Sequence, residues 1–125
     1  MNFKNEIGKF GQNLAAEFLR KRNYQILEQN FFTRLGEIDL VCSHNGQLVF
    51  VEVKTRLSNQ FGLPEEAVSA AKKEKMYQAA LQYLEKEKVN HDNFRFDIVA
   101  IEIDKANKKA IIRHHKNIRE SNVEY

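Results

Sequence analysis

In the stretch GEIDLVCSHNGQLVFVEVKT, Gly36 to Thr55, two carboxylates and a lysine stand among hydrophobic residues: Asp39, twelve intervening residues, then Glu52-Val53-Lys54. The Asn45-Gly46 pair between the two apolar runs signals a two-residue hairpin turn, because both central positions of such a turn need positive φ. That turn sets His44 opposite Gln47. Every facing pair then has residue numbers with the same sum, so Val41 faces Phe50, Asp39 faces Glu52 and Glu37 faces Lys54. Side chains alternate across a strand with period two, which gathers these pairs on one face and leaves Ile38, Leu40, Cys42, Val49, Val51 and Val53 on the other. The β-carbons of Asp39 and Glu52 are then about 4.5–5.5 Å apart. Carboxylates that close repel unless a proton or a cation sits between them, and a divalent metal ion is the natural occupant.

Composition sets the frame for this hairpin. A chain of 125 residues, 42% hydrophobic and 30% charged, fits one domain, 1–125, with one sizeable core and no low-complexity stretch. The N-terminal MNFKNEIGKF lacks the apolar centre of a signal peptide, and the apolar runs are only a few residues long, which points to the cytoplasm and to no membrane. The lone cysteine, Cys42, cannot form an internal disulfide and reads as a small buried hydrophobe. A net charge of +3 is modest, but from Lys105 to Arg119 there are six Lys or Arg and no acid. Both a solvated basic surface and a nucleic-acid contact fit that run.

The elements that must position these residues follow from periodicity. Phe3, Ile7, Phe10, Leu14 and Phe18 draw a helical stripe down to about Lys21. Strands are expected at Tyr24 to Phe32, Leu35 to Ser43 and Gln47 to Thr55. Pro64 followed by Glu65 and Glu66 marks a helix start running to about Lys88, burying Val68, Ala71, Met76, Ala79, Ala80, Tyr83 and Leu84. After a polar break at Asn90 to Asn93, Phe94 to Ile103 is a buried strand, and Ala110 to His115 an edge strand. The order is α-β-β-β-α-β(-β), an α/β fold in which helices pack on a sheet.

Asp39, Glu52 and Lys54 in that order of elements resemble the PD-(D/E)XK nuclease superfamily, which implies a restriction-endonuclease-like fold, a mixed sheet flanked by helices. More narrowly, GEIDLV, VFVEVKTR, FGLPEEAV from Phe61 to Val68 and FRFDIVAI from Phe94 to Ile101 resemble the YraN family of bacterial proteins, similar in turn to archaeal Holliday-junction resolvases. The resemblance implies a magnesium- or manganese-dependent endonuclease that hydrolyses DNA, branched or single-stranded, and acts as a homodimer. The proline that names the superfamily is replaced by Ile38, which the hairpin register points to the opposite face. In the first helix the family pattern resembles Gly-x-x-Gly-Glu. Here Gly8 to Gly11 is followed by Gln12, an amide that is a poor ligand for a hard cation.

Carried onto this chain, the resemblance makes Asp39 and Glu52 the metal ligands, with the Val53 carbonyl completing the site. Lys54 would orient the attacking water or stabilise the developing oxyanion. Glu37 would position Lys54, with Gln12 in support. Arg34, Thr55 and Arg56 at the open end, and Lys108, Lys109 and Arg113 in the basic run, are candidate phosphate contacts. The alternative is a nucleic-acid-binding module of the same fold with little or no catalysis, as Gln12 suggests; a protein-interaction subunit is a third reading. Asp97 reads as an acid supporting the site, as a partner for a basic residue, or as solvent-facing at a strand end. His114 and His115 are adjacent, so on a strand they point to opposite faces, and an exposed strand end suits them.

Overall fold

A computed structural model describes residues 3–58, 62–89 and 93–118, so Phe61 of the FGLPEEAV segment, most of the break at Asn90 to Asn93, and Arg119 lie outside the described residues. The elements are α1 (Phe3–Arg20), β1 (Gln25–Phe32), β2 (Glu37–His44), β3 (Gln47–Leu57), a 3₁₀ turn (Pro64–Ala67), α2 (Ala70–Lys86), β4 (Phe94–Asp104) and β5 (Lys109–His115). The five strands form one sheet in sequence order. Only β3 and β4 pair in parallel. A parallel pair needs a crossover, and α2 supplies it. The expected order of elements and the mixed α/β sheet are thus found.

Alternation along β3 divides the core into two layers. Phe50 belongs to a cluster with Met76, Ala80 and Leu84 of α2 and with Phe96 and Ile98 of β4. Its neighbours Val49 and Val51 belong to the other cluster, with Ala15, Ala16 and Leu19 of α1 and with Val99 and Ile101 of β4. Cys42 is fully buried in the α1 layer, and that burial pushes its thiol up to about 12, which makes it an inert apolar filler.

The helix expected from Pro64 is divided. Pro64 starts only the 3₁₀ turn; Val68 is extended, and α2 begins after Ser69, whose side chain accepts a hydrogen bond from the Lys72 N–H at 3.1 Å. Serine outcompetes proline as the start signal because its oxygen satisfies an otherwise orphaned amide. Ala71 therefore falls in an exposed first turn, while the other residues expected in the core of this helix are buried. The stripe expected on α1 is also displaced. Phe10 is 53% exposed, whereas Ala15, Ala16 and Leu19 are buried. Gly11 explains this: a Cβ there would stand 1.8 Å from Thr55 Oγ1, so α1 turns its small residues to the sheet and lies close upon it.

Candidate functional site

The hairpin turn forms as expected, with φ of 50° at Asn45 and 77° at Gly46. From it the register runs from His44 opposite Gln47 to Leu40 opposite Val51, and there the β2–β3 ladder stops. Asp39–Glu52 and Glu37–Lys54 are therefore not ladder pairs. Had the ladder continued, the Val53 N–H would have bonded the backbone of Ile38. It donates instead to Asp39 Oδ2, at 2.8 Å. The strict alternation expected of β2 breaks at this point: Ile38 joins the α2-side cluster, away from Leu40 and Cys42. Below the break β2 is held by β1 alone, with Ile38 opposite Phe31 and Glu37 opposite Phe32.

The departure still brings Asp39 and Glu52 together. Burial first, then the Asp39 charge, push the Glu52 carboxyl well above the usual carboxylate range, and a hydrogen bond shared with Asp39 acts in the same direction. Two carboxyls that share a hydrogen bond need a proton between them, or a cation in its place. Glu52 is 4% exposed, and its Oε1 is buried without a hydrogen-bond partner. The charges of Lys72 and Lys54 pull its carboxyl the other way. Lys54 lies two residues along β3 from Glu52 on the same face, half-buried. Lys72 reaches down from the first turn of α2 to 3.6 Å from Glu52 Oε2. Sequence reasoning missed Lys72 because it started the helix at Pro64; the signal available was Ser69, whose capping role fixes where Lys72 falls.

Other anticipated residues go elsewhere. Gln12 makes a long 3.5 Å contact to Gln29 Oε1 on β1. Glu37 is exposed and, among the described residues, forms no ion pair with Lys54. Thr55 points into the α1 layer, its hydroxyl buried beneath Gly11 and unpartnered, so it offers nothing to a phosphate. Arg34 is exposed in the Thr33–Gly36 turn; Arg56 is half-buried beside Gly62. Lys108 and Lys109 are exposed. Arg113 is not a free cation of a basic surface: it grips Glu65 with two nitrogens, at 2.6 and 2.7 Å, and Glu102 with a third at 2.6 Å. Hydrogen bonds from Arg113 hold the Glu65 carboxyl down at about 2.

Asp97 proves to be a partner for basic residues, fully buried in the α1 layer. It accepts from Arg95 Nε at 3.0 Å and from the Asn117 N–H at 3.0 Å, and His114 Nε2 lies 2.7 Å away. The two histidines do point to opposite faces, His115 to Glu65 at 2.8 Å. Neither forms the exposed strand end expected of it, because His114 meets buried Asp97 on the adjacent β4 and His115 meets buried Glu65 in the 3₁₀ turn.

Among the described residues no group of three His, Cys, Asp or Glu could hold a metal ion; the acidic pair supplies two carboxyls. It lies where β3 runs on past its last β2 partner, and the stretch Val53 to Leu57 borders a cavity of about 480 Å³ with Ile7 and Gly8 of α1. No helix among the described residues is long and apolar enough to cross a membrane.

Residues 11–101 match the family described as "Uncharacterised protein family UPF0102". The chain is 47% identical over 104 residues to a UPF0102 protein of Syntrophomonas wolfei, an alignment covering 83% of this chain and 90% of the relative. A UPF0102 protein of Alkaliphilus oremlandii is 43% identical over 114 residues, covering 90% of this chain and 96% of the relative. One from Caldicellulosiruptor bescii is 46% identical over 109 residues, covering 86% and 90%. The matches span the acidic pair and the strands that carry it, and the chain belongs to the UPF0102, or YraN, family.

Proposed function

We propose that the chain is a metal-dependent endonuclease of the PD-(D/E)XK type, hydrolysing phosphodiester bonds of branched or single-stranded DNA. One observation carries this reading: a buried glutamate, Glu52, with an unpartnered oxygen, lies against a second carboxylate, Asp39. A buried acid left in that state costs free energy that a fold without a use for it avoids. The donors suit a hard cation, which takes one or two carboxylates and completes its shell with water. Asp39 and Glu52 would hold Mg²⁺ or Mn²⁺, with the Val53 carbonyl, which opens to the same strand edge as its N–H, as a third ligand. Once bound, the ion offsets charge on the phosphate oxygens and acidifies a water.

The chain's own groups then have separable tasks. The Val53 N–H fixes Asp39 so that its second oxygen is presented. Lys54 answers the negative charge that develops as the phosphate is attacked. Arg34 and Arg56 flank the open end, while exposed Lys108 and Lys109 attract the polyanion from a distance. A homodimer, implied by the resemblance to resolvases, belongs to the same proposal and is checked by sedimentation.

The test is a cleavage assay on duplex, single-stranded and four-way-junction DNA with Mg²⁺ or Mn²⁺. Wild type should cut at least one of these, and Asp39→Asn none. Lys54→Ala should cut about a hundredfold more slowly at saturating DNA with little change in affinity, a loss of about 3 kcal/mol. The lack of a third acid, with Gln12 turned to Gln29, favours a second reading: a nucleic-acid-binding module without catalysis. Salt-sensitive binding with no cleavage above the Lys54→Ala background would select it.

A further inference from the structure

We propose that Lys72 is a substrate-binding residue of this site, forming with Lys54 a cradle of two ammonium groups around a DNA phosphate; the proposal rests on the nuclease reading above. The two lysines approach the acidic pair from different layers, Lys54 from the sheet and Lys72 from the helix packed over it. The 3.6 Å between Lys72 Nζ and Glu52 Oε2 is longer than a hydrogen bond, so charge rather than fixed geometry holds the ammonium there. The Lys72 side chain is 34% exposed against 6% for Glu52, so the side chain whose ammonium lies by the carboxylate also reaches solvent, where a phosphate would arrive.

Two glycine-dependent or cap-dependent contacts fix this placement. Ser69 binds the Lys72 N–H, which sets the first turn of α2. One turn on, a Cβ at Gly36 would stand 2.7 Å from the Lys75 carbonyl oxygen, so the missing side chain lets α2 settle against the start of β2, beside Asp39. Charge balance explains why two cations are needed. Asp39 and Glu52 against Lys54 and Lys72 sum to zero. A divalent ion added to that set leaves two positive charges, matching a phosphodiester that has taken on a hydroxide. Without Lys72 one negative charge of that transition state is unanswered. A lysine that served only to neutralise Glu52 would be redundant once the metal is bound.

The test measures binding of a fluorescein-labelled single-stranded oligodeoxynucleotide by anisotropy, in Ca²⁺, across a range of salt, for wild type, Lys72→Gln and Lys72→Arg. Lys72→Gln should weaken binding about tenfold and lower the slope of log affinity against log salt by about 0.7, the share of one single-strand phosphate contact. Lys72→Arg should restore the slope. A merely structural lysine cannot move that slope, and thermal melting shows that each variant is folded; should Lys72→Gln not fold, Lys72→Met takes its place. Wild-type binding with an unchanged slope in the uncharged variant overturns the role of Lys72 and leaves the nuclease reading standing. Absence of wild-type binding to the oligonucleotide and to a four-way junction overturns both.

Discussion

Glu52 and Asp97 are carboxylates at the same depth on opposite faces of one sheet, 4% and 0% exposed, and their surroundings have opposite effects. Burial alone would raise both. At Asp97 hydrogen bonds from His114, Arg95 and the Asn117 N–H outweigh burial, and its carboxyl is held below the ordinary value. At Glu52 the charge with the largest effect is another acid's, one oxygen has no partner, and the carboxyl is driven up. Depth therefore does not decide the ionisation of a buried acid; the set of partners does. A satisfied acid ties elements together, and here it joins β4, β5 and the segment after it. An unsatisfied one keeps an acceptor oxygen to spare, which the proposed cation would take up.

Substitution should expose that contrast most strongly. Asp97→Ala strands Arg95 and His114 and should cost about 3–5 kcal/mol in urea unfolding, the penalty for removing one partner of a buried pair. Glu52→Gln should cost nothing, or raise stability by about 1 kcal/mol, because a strained ionisable group becomes a neutral amide of the same shape. Equal losses for the two variants would remove the distinction.

A smaller effect sharpens it through pH. The Glu65 carboxyl is lowered from an ordinary 4.5 to about 2 by Arg113. Its stabilisation is complete above the ordinary value and is lost as pH falls toward 2, on the order of 2 kcal/mol after discounting for the 30% of the Arg113 side chain that stays in water. Glu52 has the opposite sign. With its folded value raised, its contribution is fullest at acid pH and fades as pH rises through the window above the ordinary carboxylate range. Stability measured against pH in Arg113→Ala should lose most of the Glu65 share of the acid limb while the share of Asp97 remains, and in Glu52→Gln it should lack the decline at higher pH.

The weakest expected effect is at the surface. Lys108→Ala with Lys109→Ala should leave stability within about 0.5 kcal/mol while flattening the salt dependence of DNA binding. A loss of fold in this double variant would mean that these lysines, like Arg113, are tied into the structure.

The fold was legible because its signals are local. Asn45-Gly46 dictates the hairpin and its register up to Leu40, and hydrophobic periodicity places the strands and α1 within a few residues, while α2 starts six residues after the expected Pro64. What was not legible depends on contacts between distant segments. Period-two alternation assumed an unbroken ladder, yet the Asp39 side chain captures the Val53 N–H and turns Ile38 to the other layer. Arg113 looked like one cation in a basic run, since nothing in its neighbourhood announces that Glu65, 48 residues away, folds onto it. Large aromatics dominated the stripe read on α1, whereas Gly11 and the alanines make the close contact. The acidic pair was found because Asp39 and Glu52 flank one short turn; Lys72 was missed because it comes from a helix whose start a proline seemed to mark.

Titration calorimetry with Mn²⁺ on wild type and Glu52→Gln decides whether Asp39 and Glu52 form the proposed divalent-cation site. Wild type should bind one ion in a salt-tolerant, exothermic or endothermic step that Glu52→Gln abolishes while remaining at least as stable to heat, because a single carboxylate cannot hold a hard cation well. Equal Mn²⁺ binding by the two proteins, or none by wild type at millimolar metal, would mean that Asp39 and Glu52 do not hold a divalent cation.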